Sequence, residues 1–121
     1  MLQLAAILIF LVGLAHSLLG ERFILTRLFR RDNLPKLFGG TEFTTATLRF
    51  AWHLTTIAWW AFAVLLWQLD SGPPTSAFIL KVIGYSSIAS GLLPLFMTRG
   101  KHLVWILFFV VGGIALFKAA T

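Results

Sequence analysis

The sequence predicts an all-α polytopic membrane protein, a four-transmembrane-helix bundle with a basic interfacial segment between helices 1 and 2. Composition is the first reason: 59% of the 121 residues are hydrophobic, 12% are charged, and the mean hydropathy is +0.90. A soluble domain carries about 25% charged residues, and one of this size has too small a core to bury so many apolar side chains. The second reason is distribution, because long apolar runs alternate with short polar connections.

Four apolar runs approach the length of about 20 residues that the hydrocarbon core of a bilayer requires. Backbone groups in lipid must be hydrogen-bonded internally, so each run is expected to be a helix. The runs cover residues 2–19, 50–69, 77–97 and 103–120 of a single domain (1–121), with a cytoplasmic amphipathic loop at 20–49. Gly72-Pro73-Pro74 is expected to end the second helix, and Thr75 or Ser76 to cap the third.

Basic residues predict the orientation. Eight of the ten Lys and Arg flank or fill the first and third connections, so that side should be cytoplasmic and both termini should lie outside. The eight are Arg22, Arg27, Arg30, Arg31, Lys36, Arg49, Arg99 and Lys101. This bias accounts for the net charge of +6 without a nucleic-acid partner.

The first connection begins with a basic amphipathic segment. Arg22, Arg27, Arg30 and Arg31 alternate with bulky apolar residues at roughly helical spacing. Such segments lie along anionic lipid headgroups next to a membrane span. We therefore expect these four arginines to contact headgroups and to anchor the protein at the bilayer surface.

Three histidines are predicted at a similar depth near the cytoplasmic side. His16 is near the end of the first span, His53 near the start of the second and His102 at the start of the fourth; Glu21 and Arg49 lie close by in sequence. Trp52 lies beside His53 in the second span, Arg49 precedes His53 by four residues and shares its helix face, and His102 is the most peripheral histidine. Polar side chains are costly in lipid and mark functional sites.

Small residues on the first span predict where this cluster lies. Gly13, Ser17 and Gly20 are four and three residues apart, a spacing that lets a neighbouring helix approach closely. The polar stripe of the second helix, which includes Arg49, His53 and Thr56, should face this seam. The sequence thus predicts a cytoplasm-facing site between helices 1 and 2.

The residue types leave several chemistries open for this site. His16, His53 and Glu21 have the nitrogen and oxygen ligands that a transition metal accepts, with Arg49, His102 and Trp52 in supporting or proton-handling positions. Haem fits less well than a compact ion, since the small-residue seam would bring its two ligands too close together. Two other interpretations are that the site handles protons, or that it is a purely structural polar patch in which Glu21 pairs with Arg49 or Arg22. No cysteine is present, which excludes thiol chemistry and disulfides, and no catalytic residue is assigned.

Two segments carry a family resemblance. Ala15–Arg22 (AHSLLGER) and Leu48–Thr55 (LRFAWHLT) are similar to stretches of a group of small four-span proteins of the bacterial inner membrane. The resemblance covers the first half of the chain best. It implies a location in the bacterial inner membrane, and no activity comes with it.

Three functions remain at this point. The first is a small membrane protein with a His/Glu site that binds a metal ion or handles protons. The second is a structural or accessory subunit of a membrane assembly, and the third is a small oligomeric transporter or channel. Four short helices bury few of their small-residue faces alone, so we expect a homo-oligomer or a membrane-protein partner.

Overall fold

A computed structural model describes residues 1–121 and is all-helical, with four helices and no strands. Helix α1 is Leu2–Leu28, α2 is Glu42–Ser71, α3 is Ser76–Met97 and α4 is Val104–Ala120. The first three are long and apolar enough to cross a membrane, and α4 is a shorter apolar helix. Predictions of four apolar helices are thus confirmed, with α4 at 17 residues below the usual span length.

Helix α1 is longer than its apolar run. After Leu2–Leu19 the chain continues through a wide π-helical stretch, Gly20–Leu25, and one more α-turn, Thr26–Leu28. Helix α2 begins at Glu42, earlier than its apolar run, so the connection between α1 and α2 covers only residues 29–41. The expected loop at 20–49 is therefore mostly helix, because the boundaries of apolar runs mark hydropathy rather than the limits of backbone hydrogen bonding.

Helix boundaries follow local chemistry. The hydroxyl of Thr75 accepts the backbone N–H of Phe78 at 3.1 Å and caps α3, as predicted. Gly72 has a φ of 148° and ends α2 just before the two prolines. The α3–α4 turn needs left-handed backbone at Arg99 (φ 53°) and Gly100 (φ 78°).

The helices form a row in chain order. Residues of α1 approach α2, those of α2 approach α3 and those of α3 approach α4, whereas α1 lies away from both α3 and α4. Sequential packing leaves large apolar side chains exposed along the row, above all on α1 and α4. Only 14 of 121 residues are buried, so most of the apolar surface faces outward.

The helices are roughly antiparallel, and the two ends of their axes differ in chemistry. At the Asp70 end, the Asp70 carboxylate accepts the Leu2 backbone N–H at 2.8 Å and lies 3.3 Å from the Met1 ammonium. At the opposite end, which we call the Glu21 end, the His102 ring packs against Phe50 with centroids 4.9 Å apart. The α3–α4 turn thus lies beside the start of α2, at the same end as Glu21.

Candidate functional site

Side chains of α2 donate hydrogen bonds to the backbone of α1 along the whole seam. Three donors four residues apart on α2 meet three carbonyls three residues apart on α1. They are Trp60 to Phe10 O (3.1 Å), Thr56 to Gly13 O (3.1 Å) and Trp52 to His16 O (3.0 Å). This pattern fixes both the antiparallel register and the rotation of the two helices about their axes.

Two glycines make the seam possible. A Cβ on Gly13 would lie 2.8 Å from Trp60 Nε1, and one on Gly20 would overlap the Trp52 indole. The expected close contact at the small-residue face of α1 is therefore present, with indole rings rather than a second backbone filling the space. Because Gly20 also opens the π-helical stretch, the wide turn places Glu21 directly beside the seam.

Glu21 is paired with two residues of α2. Its Oε1 lies 2.9 Å from Arg49 Nη2, and its Oε2 lies 3.1 Å from His53 Nε2 and 3.3 Å from Arg49 Nε. The Glu21 side chain is 35% exposed and that of His53 20%. Two donors on one carboxylate stabilise its ionised form, and the expected pairing of Glu21 with Arg49 is confirmed.

A chain of hydroxyl groups continues from His53 into the interior. His53 Nδ1 lies 2.8 Å from Ser17 Oγ, which lies 2.6 Å from Thr56 Oγ1. Thr56 is buried, and its hydroxyl also reaches Gly13 O. Glu21, His53, Ser17 and Thr56 thus form one hydrogen-bonded chain that runs from the half-exposed carboxylate to a buried carbonyl.

The three contacts beyond the His53 ring need three protons, and all three are present only when Nδ1 also carries one. Thr56 has one proton, and if it donates to Gly13 O it accepts from Ser17, which then accepts from His53 Nδ1–H. His53 donates at both nitrogens in that case and is an imidazolium facing the Glu21 carboxylate. If Thr56 donates to Ser17 instead, Ser17 donates to Nδ1 and a neutral His53 donates only Nε2–H to Glu21. The contact between Thr56 Oγ1 and Gly13 O then has no proton. The arrangements differ by one proton and by the direction of two hydroxyls.

His16 occupies a separate position. Its Nε2–H donates to Trp52 O at 3.2 Å, and its ring stacks on the Trp52 indole with centroids 4.4 Å apart and planes 2° apart. Neighbouring residues on a helix point about 100° apart, so His16 and Ser17 meet different parts of α2. The structure brings Glu21 and His53 together without His16, and no three His, Asp or Glu side chains are placed to hold a metal ion.

His102 also lies outside the chain. Its ring stacks on Phe43 and meets Phe50 edge-on, and its buried Nδ1 has no hydrogen-bond partner. Its backbone N–H donates to the Thr98 hydroxyl at 3.0 Å, which is a contact within the α3–α4 turn. His102 is therefore a packing element of this turn in the structure.

The arginines of the basic segment point away from the cluster. The Arg22 and Arg27 guanidinium groups lie 5.3 and 6.0 Å from the centre of the Phe23 ring, and Arg31 donates to Asn33. Arg30 is exposed. Arg22 and Arg27 belong to the same continuous helix as His16, so the segment is an extension of α1 rather than a separate surface helix.

Sequence reasoning missed the two hydroxyl residues of the chain as polar partners. Ser17 was expected only to permit close helix packing, and Thr56 only to belong to a polar stripe. One signal was available: Thr56 lies three residues after His53 on α2, so both side chains had to face the same neighbour.

Comparisons with known proteins add no information about the fold or the site. No protein-family model, no curated protein and no solved structure matches this chain. The resemblance seen at Ala15–Arg22 and Leu48–Thr55 stays a prediction, although these segments contain most of the hydrogen-bonded chain.

Proposed function

We propose that the protein is an integral membrane protein whose Glu21–His53–Ser17–Thr56 chain binds and releases a proton at one face of the bilayer. The observation that carries the proposal is this unbroken chain, which links a half-exposed carboxylate to a buried hydroxyl between two apolar helices. Polar groups at such a position are costly in lipid unless they are paired, and paired titratable groups are the usual parts of proton relays.

Membrane residence is supported by the exposed apolar surface and by the lengths of the helices. Side chains such as Leu8, Leu11, Leu107, Ile114 and Phe117 are each about half exposed or more, which water would penalise. We propose four transmembrane helices, in the bacterial inner membrane, with both termini outside and the Glu21 end in the cytoplasm. The basic residues of α1 and of the α3–α4 turn favour that orientation, with Arg22, Arg27, Arg30 and Arg31 at the headgroups.

Proton uptake changes the direction of the chain. In the neutral arrangement His53 holds one proton, on Nε2, and accepts the Ser17 hydroxyl at Nδ1. When solvent supplies a second proton to the partly exposed His53 ring and Nδ1 carries it, Ser17 turns to donate to Thr56, and Thr56 turns to donate to Gly13 O. The Glu21 carboxylate balances the new positive charge, while Arg49 holds the carboxylate in place through two contacts.

A metal ion at the Glu21–His53 pair is less well supported than a proton. Zinc sites in proteins use three or four protein ligands, and only His53 and Glu21 of the expected set converge. The proton proposal requires no further ligand.

Histidine NMR in detergent micelles, with ¹⁵N labelling and a pH series, tests the proposal. We expect His53 to exchange between neutral and doubly protonated forms, together with a shift of the Thr56 signals. In Ser17→Ala the His53 change should persist without the Thr56 shift, whereas His16→Gln should leave both intact. A His53 that keeps one form across the pH series, or a Thr56 signal that ignores it, contradicts the proposal.

A structural or accessory subunit is the second candidate. The row of helices leaves the outer faces of α1 and α4 uncovered, which favours a second copy or another membrane protein on these faces. Cross-linking through cysteines introduced at exposed positions of α1 and α4 would reveal a homo-oligomer. A protein that stays monomeric and without a partner in mild detergent would count against this candidate.

A transporter or channel is the third possibility, and it needs polar groups beyond this chain. The hydrogen-bonded chain ends at Gly13 O. The next contacts along the seam are the Trp60 indole N–H on Phe10 O and the stacking of Trp60 on Phe10, and neither offers a titratable group. A continuous path would therefore need residues of a second copy.

A further inference from the structure

A long groove lies between α2 and α3, away from the proton site. Its volume is about 790 Å³, which is within the range of small-molecule sites, and ten of its twelve lining residues are hydrophobic. Along α3 it runs from Phe78 to Leu93, or about 23 Å at the helical rise of 1.5 Å per residue. Half of a hydrocarbon core is about 15 Å thick, so the groove is long enough for one lipid acyl chain.

The two lining residues that are not hydrophobic are Lys81 and Ser86, and the Ser86 hydroxyl donates to Ile83 O within α3 at 3.1 Å. The remaining unpaired polar atoms belong to Lys81 and to the phenol of Tyr85. These two residues are four residues apart on α3 and therefore on one face of the helix. Both are exposed, and neither the Lys81 ammonium nor the Tyr85 hydroxyl has a hydrogen-bond partner within the chain. Lys81 is five residues from the start of α3, about 8 Å from the Asp70 end, within reach of the surface for a flexible side chain.

The charge of Lys81 has no counterpart in the chain. Of the four acidic residues, Asp70 is the one at this end, and its carboxylate is engaged by Leu2 N–H and the Met1 ammonium. Glu21 is paired with Arg49 and His53 at the Glu21 end, and no salt bridge reaches Lys81. An unpaired cation beside an apolar groove is complementary to a ligand with an anionic head and an apolar tail.

We propose that this groove binds one acyl chain of an anionic phospholipid, with the lipid phosphate at Lys81. The inference rests on the membrane residence proposed above and is independent of the proton chain. A lysine near the headgroup favours an anionic lipid about fivefold over a neutral lipid, and the apolar lining of the groove packs against the acyl chain. Phosphatidylglycerol meets both requirements.

Trp60 lines the groove and serves as the reporter. Bromine on an acyl chain quenches tryptophan fluorescence on contact, so the protein is reconstituted with phosphatidylglycerol or phosphatidylcholine that carries brominated chains. The difference between the wild type and Trp60→Phe isolates the signal of Trp60, whose indole also faces Phe10 of α1, and the Lys81 variants then assign that signal to the groove. We expect a relative association constant of about five for phosphatidylglycerol over phosphatidylcholine at this position.

The control variants separate the groove from general surface charge. Lys81→Gln should lower the constant to about one and Lys81→Arg should preserve it, while Lys118→Gln, an exposed lysine on α4, should leave it unchanged. A constant of about one in the wild type overturns the proposal, as does a preference that survives Lys81→Gln. Absence of Trp60 quenching, with other tryptophans quenched, would mean that another protein surface fills the groove. Absence of all quenching would instead contradict membrane residence.

Discussion

The α1–α2 and α3–α4 seams join antiparallel helices by different means. Between α1 and α2 the contacts are hydrogen bonds from indole and hydroxyl groups to backbone carbonyls. Between α3 and α4 they are close packing at Gly84 and Gly112, where a Cβ on either glycine would lie 3.0–3.2 Å from the carbonyl oxygen of the other. Tight packing needs no titratable group, whereas the polar seam holds the titratable pair of Glu21 and His53. The difference indicates where function is to be sought.

The largest expected effect is steric, at the packed seam. Gly112→Leu should destabilise the fold by about 1–3 kcal/mol, because any side chain at this position meets Ile88 and the Gly84 carbonyl. Gly113→Leu is the matched control, since nothing lies within 4 Å of its Cβ position and leucine has the better helix propensity. Reversible unfolding in mixed micelles, followed by circular dichroism, measures both. Equal losses in the two variants would contradict the α3–α4 packing.

A smaller effect is expected from a single hydroxyl of the polar seam. Thr56→Val preserves shape and removes the bonds to Gly13 O and Ser17, at a cost of about 0.5–2 kcal/mol. Thr47→Val lies on the same helix, and there the buried hydroxyl has no partner, so its removal should be neutral or stabilising. The same unfolding assay distinguishes the two. A Thr56→Val protein as stable as the wild type would show that the hydroxyl chain does not form.

The smallest effect is expected at the ion pair. In a double-mutant cycle of Glu21→Gln and Arg49→Met, the coupling energy should be about 0.5 kcal/mol, because both side chains are more than one-third exposed. High salt should reduce it further. A coupling of several kcal/mol would mean that the pair is buried in an assembly, which would favour the subunit hypothesis.

Much of the fold was predictable from the sequence because it depends on local properties. Hydropathy predicted the four apolar helices, and the prolines and Thr75 marked the start of α3. Glycines on α1 predicted the close seam with α2. The length of α1 beyond Leu19 was not predictable from hydropathy, because a π-helical stretch preserves backbone hydrogen bonding through a polar sequence.

The sequence by itself determined the position of each polar residue along its helix, because that position follows from counting residues at 1.5 Å each. It therefore placed Glu21, Arg49 and His53 near one another. Only the tertiary structure decided the rotation of α1 about its axis, which turns Ser17 to His53 and His16 to the Trp52 indole. That angle depends on how the indoles of Trp52 and Trp60 fit over Gly20 and Gly13, and no local pattern of residues encodes such a fit.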